Sequence, residues 1–280
     1  MKIRIAHSPD SDDAFMFYPL TSGLIDTEGL VIEHVLADIQ TLNEEALKGS
    51  YEVSAISFHA YPYVADKYVV LPSGGSVGDG YGPIVVAKED MNSIKGKRVA
   101  VPGLLTTAYL VLKLYEPDIQ PVVLPFDKVI DAVERGEVDA GLVIHEGQLS
   151  YVDRGLRLLV DLGAWWKEKT GLVLPLGCNV VRKDLGKEVI KKLEKLMRKS
   201  VEFALHNEDL ALEYALNYAR DLSHSKERTR KFVSMYVNQY TVDYTERGRE
   251  AVRLLLKLGY ERGIITVKPP EVIFSDELVL

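Results

Sequence analysis

The chain of 280 residues has a single cysteine, Cys178. No intramolecular disulfide and no cysteine zinc cluster can be built from it. Beside Gly177 it reads as a small buried hydrophobe. Long hydrophobic runs are missing as well. The apolar stretch at Ile3-Arg4-Ile5-Ala6 breaks at Ser8-Pro9-Asp10, too short for a signal-peptide core, and no segment is long enough to span a bilayer. A cytoplasmic location without membrane contact is therefore expected. Excess positive charge is also absent: 34 Lys and Arg face 41 Asp and Glu, a net charge of −7. No basic stripe follows one face, which argues against a nucleic-acid partner. The densest basic segment, Lys191 to Lys199, is interleaved with apolar residues and reads as a solvated helix face.

Several chemical signatures are missing too. The turn-rich segment Ser73 to Gly82 lacks the Gly-Lys-Ser/Thr ending of a phosphate loop, and a strand, Ile84 to Ala87, follows it in place of a helix. His145-Glu146-Gly147-Gln148-Leu149 has leucine where a zincin helix needs its second histidine. His7, His34, His59, His206 and His224 show no ligand spacing, so no metal is expected. His206 and His224 read as surface residues at helix ends. Gly74-Gly75-Ser76-Val77-Gly78 does not join a strand to a helix, so it is no nucleophile elbow.

What is present is a globular composition, 47% hydrophobic, with length for roughly two domains. Strand signals recur at Lys2 to Ala6, Leu30 to Leu36, Val53 to Ser57, Ile84 to Ala87, Val99 to Pro102, Val122 to Pro125, Ala140 to Ile144 and Leu156 to Leu162. Helical patterns fall between them, at Thr41 to Lys48, Gly103 to Tyr115 and Lys128 to Arg135. A helical tail follows: Lys187 to Leu205, Asp209 to Ala219, Ser225 to Val237 and Glu246 to Lys257. Asn238 and Tyr240 close the third of these and either return to the cleft or simply end the helix, Trp165 and Trp166 suit lobe packing or an aromatic wall, and no short repeat is visible. The pattern predicts an α/β protein with two lobes and two crossovers. One lobe is expected to be discontinuous, residues 1–87 plus 178–280. The other is expected over 88–177.

Four loops share one position, just past the carboxyl end of an expected strand: Ser8 to Asp13, Ser57 to His59, Thr106 to Ala108, and His145-Glu146-Gly147. Ligands of open α/β sheets collect at that point. Ser, Thr and Asp there are ordinary helix caps when taken singly. Four together, in two lobes, predict a cleft for a small, polar, anionic molecule. His145 is the candidate proton-transfer group, because an imidazole titrates near neutral pH. Glu146 either orients it or is a solvated loop acid. Composition sets no oligomeric state.

Taken together, Ser8-Pro9 with the acidic loop through Asp13 and Phe15, Ser57-Phe58-His59-Ala60, Gly103 with Thr106-Thr107-Ala108, Ala140 through Gly147, and Leu174-Pro175-Leu176-Gly177-Cys178-Asn179 resemble one family over nearly the whole chain. It is the 1,4-dihydroxy-6-naphthoate synthase (MqnD) family of the futalosine route to menaquinone. The resemblance implies a type II periplasmic-binding-protein-like fold with a ligand cleft between the lobes, used as a cytosolic lyase. It implies cyclic dehypoxanthinylfutalosine as substrate and no metal or organic cofactor. Carried over by motif, His145 is the general base. Ser57, Phe58 and His59 line one wall, and Thr107 and Ala108 hold substrate through hydroxyl and backbone N–H. Ser8, Asp12 and Asn179 complete the candidate set. Two positions depart from the family pattern: Pro9-Asp10-Ser11-Asp12-Asp13 stands in place of a Pro-Cys-Pro-Asn-Asp-like run, and Gln148 stands where Arg or Lys is common. A solute-binding protein and a chorismate dehydratase on the same fold are the alternative readings.

Overall fold

A computed structural model describes residues 1–219 and 225–278. His224 lies outside them. The chain opens with strand β1 (Lys2–His7), helix α1 (Ser11–Thr21), β2 (Val31–Leu36), α2 (Ile39–Lys48), β3 (Val53–Ser57) and a short turn of helix, α3 (Tyr61–Val64). Next come β4 (Tyr68–Val70), β5 (Ser76–Gly78), β6 (Ile84–Ala87), β7 (Arg98–Val101), α4 (Thr107–Tyr115), β8 (Gln120–Val123), α5 (Val129–Glu134) and β9 (Ala140–Val143). After these follow α6 (Gly147–Ser150), β10 (Arg157–Asp161), α7 (Leu162–Thr170) and β11 (Leu174–Arg182). The tail is helical: α8 (Lys187–His206), α9 (Glu208–Ala215), α10 (Lys226–Tyr236), α11 (Gln239–Val242) and α12 (Thr245–Glu261).

The strands form two sheets. The first runs β2-β1-β3-β11-β4, with β5 pairing to β11; the second runs β10-β6-β9-β7-β8. In each sheet the central strands are parallel, β1 beside β2 and β3, and β7 beside β8 and β9. Their carboxyl ends therefore open in a common direction within each sheet, as helical crossovers between parallel strands require. Ile84–Ala87 pairs antiparallel with β9 and β10. The boundary expected at residue 87 had placed that strand in the first lobe, but its backbone bonds put it in the second sheet. β11 returns the chain and pairs antiparallel with β3, so the first sheet takes strands from before and after the second in the sequence.

Helix α8 shows how the tail attaches. Ile190, Leu193, Leu196, Met197, Val201 and Ala204 are buried along one stripe, while Lys191, Lys192, Lys195, Arg198 and Lys199 face solvent. That spacing is the 3.6-residue period of an amphipathic helix. The stripe packs with Phe15, Met16 and Phe17 of α1 in one apolar core. Ser200 Oγ donates to the carbonyl of Met16 at 2.6 Å, fixing α1 and with it the loop that precedes α1. Asn238 does not close α10: it caps α11, its side chain accepting from Tyr240 N–H, while Tyr240 is buried in the core. Trp166 is buried on α7 with its Nε1 donating to Val173 O, and Trp165 packs at its edge.

Candidate active site

The carboxyl ends of β1, β3, β7 and β9 converge on one cleft of about 740 Å³, counting its open mouth. Ser8, Asp12, Ser57, Thr107, Ala108, His145 and Asn179 all line it. Asp10, Asp13, Thr106, Gln148, Phe232 and Tyr236 join them.

His145 sits two residues beyond β9, with φ of +60°. A left-handed backbone is uncommon for a residue with a side chain and tends to persist where surrounding contacts enforce it. The turn is held by Gln148 N–H donating to His145 O, and the imidazole ring meets the edge of Phe126 at 4.6 Å. His145 Nδ1 lies 3.0 Å from Asp10 Oδ2. Its Nε2 is buried with no protein partner. The next residue, Glu146, is buried, and its Oε1 accepts from both the hydroxyl and the backbone N–H of Ser11, at 2.6 and 3.2 Å.

The opposite wall is neutral. Ser57 N–H donates to Asn43 Oδ1, and Asn43 Nδ2 donates back to Ser57 Oγ; the hydroxyl proton is what Ser57 offers a ligand. Asn179 Nδ2 donates to Gly74 O at 2.7 Å, while its Oδ1 is buried without a partner. Thr106 caps α4 by accepting from Tyr109 N–H. The first N–H groups of a helix have no helical carbonyl to bond and attract anions; here those of Thr107 and Ala108 stand at the cleft wall.

Two expectations change in detail. Thr107 Oγ1 donates to Leu176 O at 2.6 Å and accepts from His59 N–H at 3.2 Å, so its backbone rather than its hydroxyl is what it offers a ligand. Phe58 and His59 do not line the cleft. Phe58 is buried with its ring against Tyr244, and the His59 ring bonds Thr106 O at 3.2 Å. Both support the wall from behind. The alternation of side chains at the end of β3 sends Ser57 toward the cleft and Phe58 into the core. Phe232 and Tyr236, from the far end of the chain, had no motif to mark them. Tyr236 Oη donates to Gln148 Oε1 at 2.6 Å, which gives the unusual Gln148 a neutral partner.

A family model described as menaquinone biosynthesis matches residues 3–261. A Thermus thermophilus protein named 1,4-dihydroxy-6-naphthoate synthase is 45% identical over 212 residues, 76% of this chain and 78% of that one. The chain belongs to this menaquinone-biosynthesis family. A crystal structure of an Archaeoglobus fulgidus protein superposes with a TM-score of 0.91 at 52% identity, over 94% of this chain and 98% of that one. The alkanesulfonate-binding protein of Xanthomonas axonopodis pv. citri, solved with MOPS, matches with a TM-score of 0.71 at 16% identity, over 97% and 96% of the two chains. At that identity the likeness shows the fold, a two-lobed periplasmic-binding-protein architecture. Among the described residues no helix is long and apolar enough to cross a membrane.

In this menaquinone-pathway enzyme the cleft is electrostatically lopsided. No lysine or arginine is among the lining residues described, while Asp10, Asp12 and Asp13 are. Burial pulls the His145 pKa down, but the adjacent Asp10 carboxylate overrides it and raises the value to about 9. Burial, then the charges of Asp13 and Asp10, push Asp12 up to about 8. Burial and then Asp10 raise Glu146 to about 7. A carboxyl raised in the folded state favours folding below its unfolded pKa near 3.8, and that contribution is lost as pH climbs toward 8. Asp12 therefore destabilises the fold at neutral pH. Asp12→Asn is expected to gain on the order of 2 kcal/mol at pH 7.5, a rise of about 4–8 °C in Tm. The gain should shrink at pH 4.5; equal Tm shifts at both pH values in thermal unfolding would refute the assignment.

Proposed function

We propose that this enzyme is a 1,4-dihydroxy-6-naphthoate synthase acting in the cytoplasm. It takes cyclic dehypoxanthinylfutalosine and releases 1,4-dihydroxy-6-naphthoate and a small dihydroxy ketone, as a carbon–carbon lyase. The observation that carries the reading is His145: one ring nitrogen tied to Asp10, the other buried in the cleft with nothing to bond. Such a pair fixes the tautomer and ring orientation and strengthens the imidazole as a base.

The substrate carboxylate fits the neutral wall, where the α4 N-terminus, Ser57 and Asn179 supply dipoles without a competing carboxylate. That places the reacting end by the acidic wall and His145. His145 Nε2 accepts a proton from a substrate hydroxyl, the carbonyl forms as the adjacent C–C bond breaks in a retro-aldol sense, and the electron pair is taken up as the ring becomes aromatic. The proton then returns from His145⁺ to the ring oxygen that took up the electron pair, which leaves both products neutral at that centre. Asp10 stabilises the imidazolium while it exists. Phe232 and Tyr236 offer an aromatic face for the ring system.

The test is direct. Purified protein with cyclic dehypoxanthinylfutalosine should yield 1,4-dihydroxy-6-naphthoate by chromatography. Substrate recovered intact would rule the proposal out and favour a binding protein; turnover of chorismate instead would favour the dehydratase.

A further inference from the structure

We infer that Ser11 and Glu146 form a clasp between the two lobes, and that closing this clasp is what delivers Asp10 to His145. Ser11 begins α1, directly after the loop from β1 of the first sheet. Glu146 follows β9 of the second sheet. Their bonds join residues 135 apart in sequence. The Asp10–His145 pair spans the same gap. Asp10 and Ser11 are neighbours, as are His145 and Glu146, so their Cα atoms are only about 3.8 Å apart on each side. Making the Ser11–Glu146 bonds therefore sets the register of the second pair, and parting the lobes breaks both together.

The consequence is a gated base, and this part rests on the proton-transfer role proposed above for His145. In an open cleft His145 loses its carboxylate partner. Closing the clasp restores it, so the imidazole gains basicity as water is expelled. The titratable groups that face it in the closed form are Asp10, Asp12 and Asp13 from the start of α1 and Glu146 from its own turn, with the uncharged Phe126 ring on its remaining flank. Glu146 is thus a positioning residue. Other bonds also join the halves, among them Tyr236 to Gln148, Thr107 to Leu176 and His59, Asn43 and Gln40 to Leu105, and the exposed pair Arg228–Asp153, but none of them brings a carboxylate to the His145 ring.

The experiment uses four variants of the full chain. Glu146→Ala removes the acceptor, Ser11→Ala removes the hydroxyl, and Glu146→Gln keeps an acceptor oxygen without the charge. Arg228→Ala removes only the exposed pair. The first readout is the titration of His145 by NMR on histidine-labelled protein, which needs no substrate. Glu146→Ala and Ser11→Ala should move it down from the wild-type value, while Glu146→Gln keeps most of the wild-type titration and Arg228→Ala all of it. The second is turnover: kcat should fall about 10- to 100-fold in Glu146→Ala with a smaller change in KM, and by less than about two-fold in Arg228→Ala. Unchanged titration in Glu146→Ala and Ser11→Ala overturns the clasp. Glu146→Gln behaving as Glu146→Ala also overturns it, since charge alone would then be at work. If wild-type protein forms no product, the proposed reaction fails while the titration still decides the clasp.

Discussion

His145→Gln should lose roughly 10²–10⁴-fold in kcat while leaving the fold in place, as expected for removal of a positioned proton-transfer group. Glutamine is preferred to alanine for the first experiment. Its amide can still meet Asp10, whereas alanine would leave a buried carboxylate without its counter-ion, which by itself destabilises a protein. His145→Ala alongside separates the two effects: both should be inactive, and alanine should lower thermal stability more than glutamine, whose amide still bonds Asp10. For wild type, kcat/KM should climb with pH up to about 9 and then level, because the imidazole must be free of its proton to accept another. Turnover of the glutamine variant within ten-fold of wild type would remove His145 from the chemistry.

Asp10→Asn should cost roughly 10²–10⁴-fold in kcat by a different route. Asparagine keeps the shape but supplies no charge. Burial, the largest influence on His145, is then opposed only by the more distant acids. The imidazole should titrate well below 9, and the rising limb of the rate profile should move to lower pH with it. The stability that His145 contributes runs in the same direction with pH as that of Asp12, over a higher pH window. A histidine raised above its unfolded pKa of 6.5 favours folding below 6.5, and that contribution is lost as pH rises through about 9. Asp10→Asn should therefore weaken the protein at pH 6 and have little effect on unfolding at pH 10. A rate profile unmoved by the substitution would show that Asp10 does not set the proton affinity of His145.

Much of the architecture was readable from local pattern. The strands ending at His7, Ser57 and Val143 are short, mostly apolar segments bounded by turn residues, and helix α8 announces itself by the spacing of Ile190, Leu193, Met197 and Val201. β4 and β5 were not readable, because three-residue strands carry no period. Helix α7 was missed because its two tryptophans point to different surroundings along a helix of low amphipathic contrast, Trp166 inward and Trp165 only partly covered. The acidic loop was noted as a departure from its family. What it does could not be read, since its partner lies 135 residues away.

The sequence alone therefore determined the α/β class, the strand-end loops and the choice of His145, because strand period, helix caps and turn residues act between near neighbours. Tertiary structure decided which wall each loop faces, that Phe58 and His59 stand behind that wall, and that Tyr236 completes it from the far end of the chain. It also decided the proton affinity of His145. A pKa depends on burial and on charges a few ångströms away, and neither is encoded at any single position of the chain.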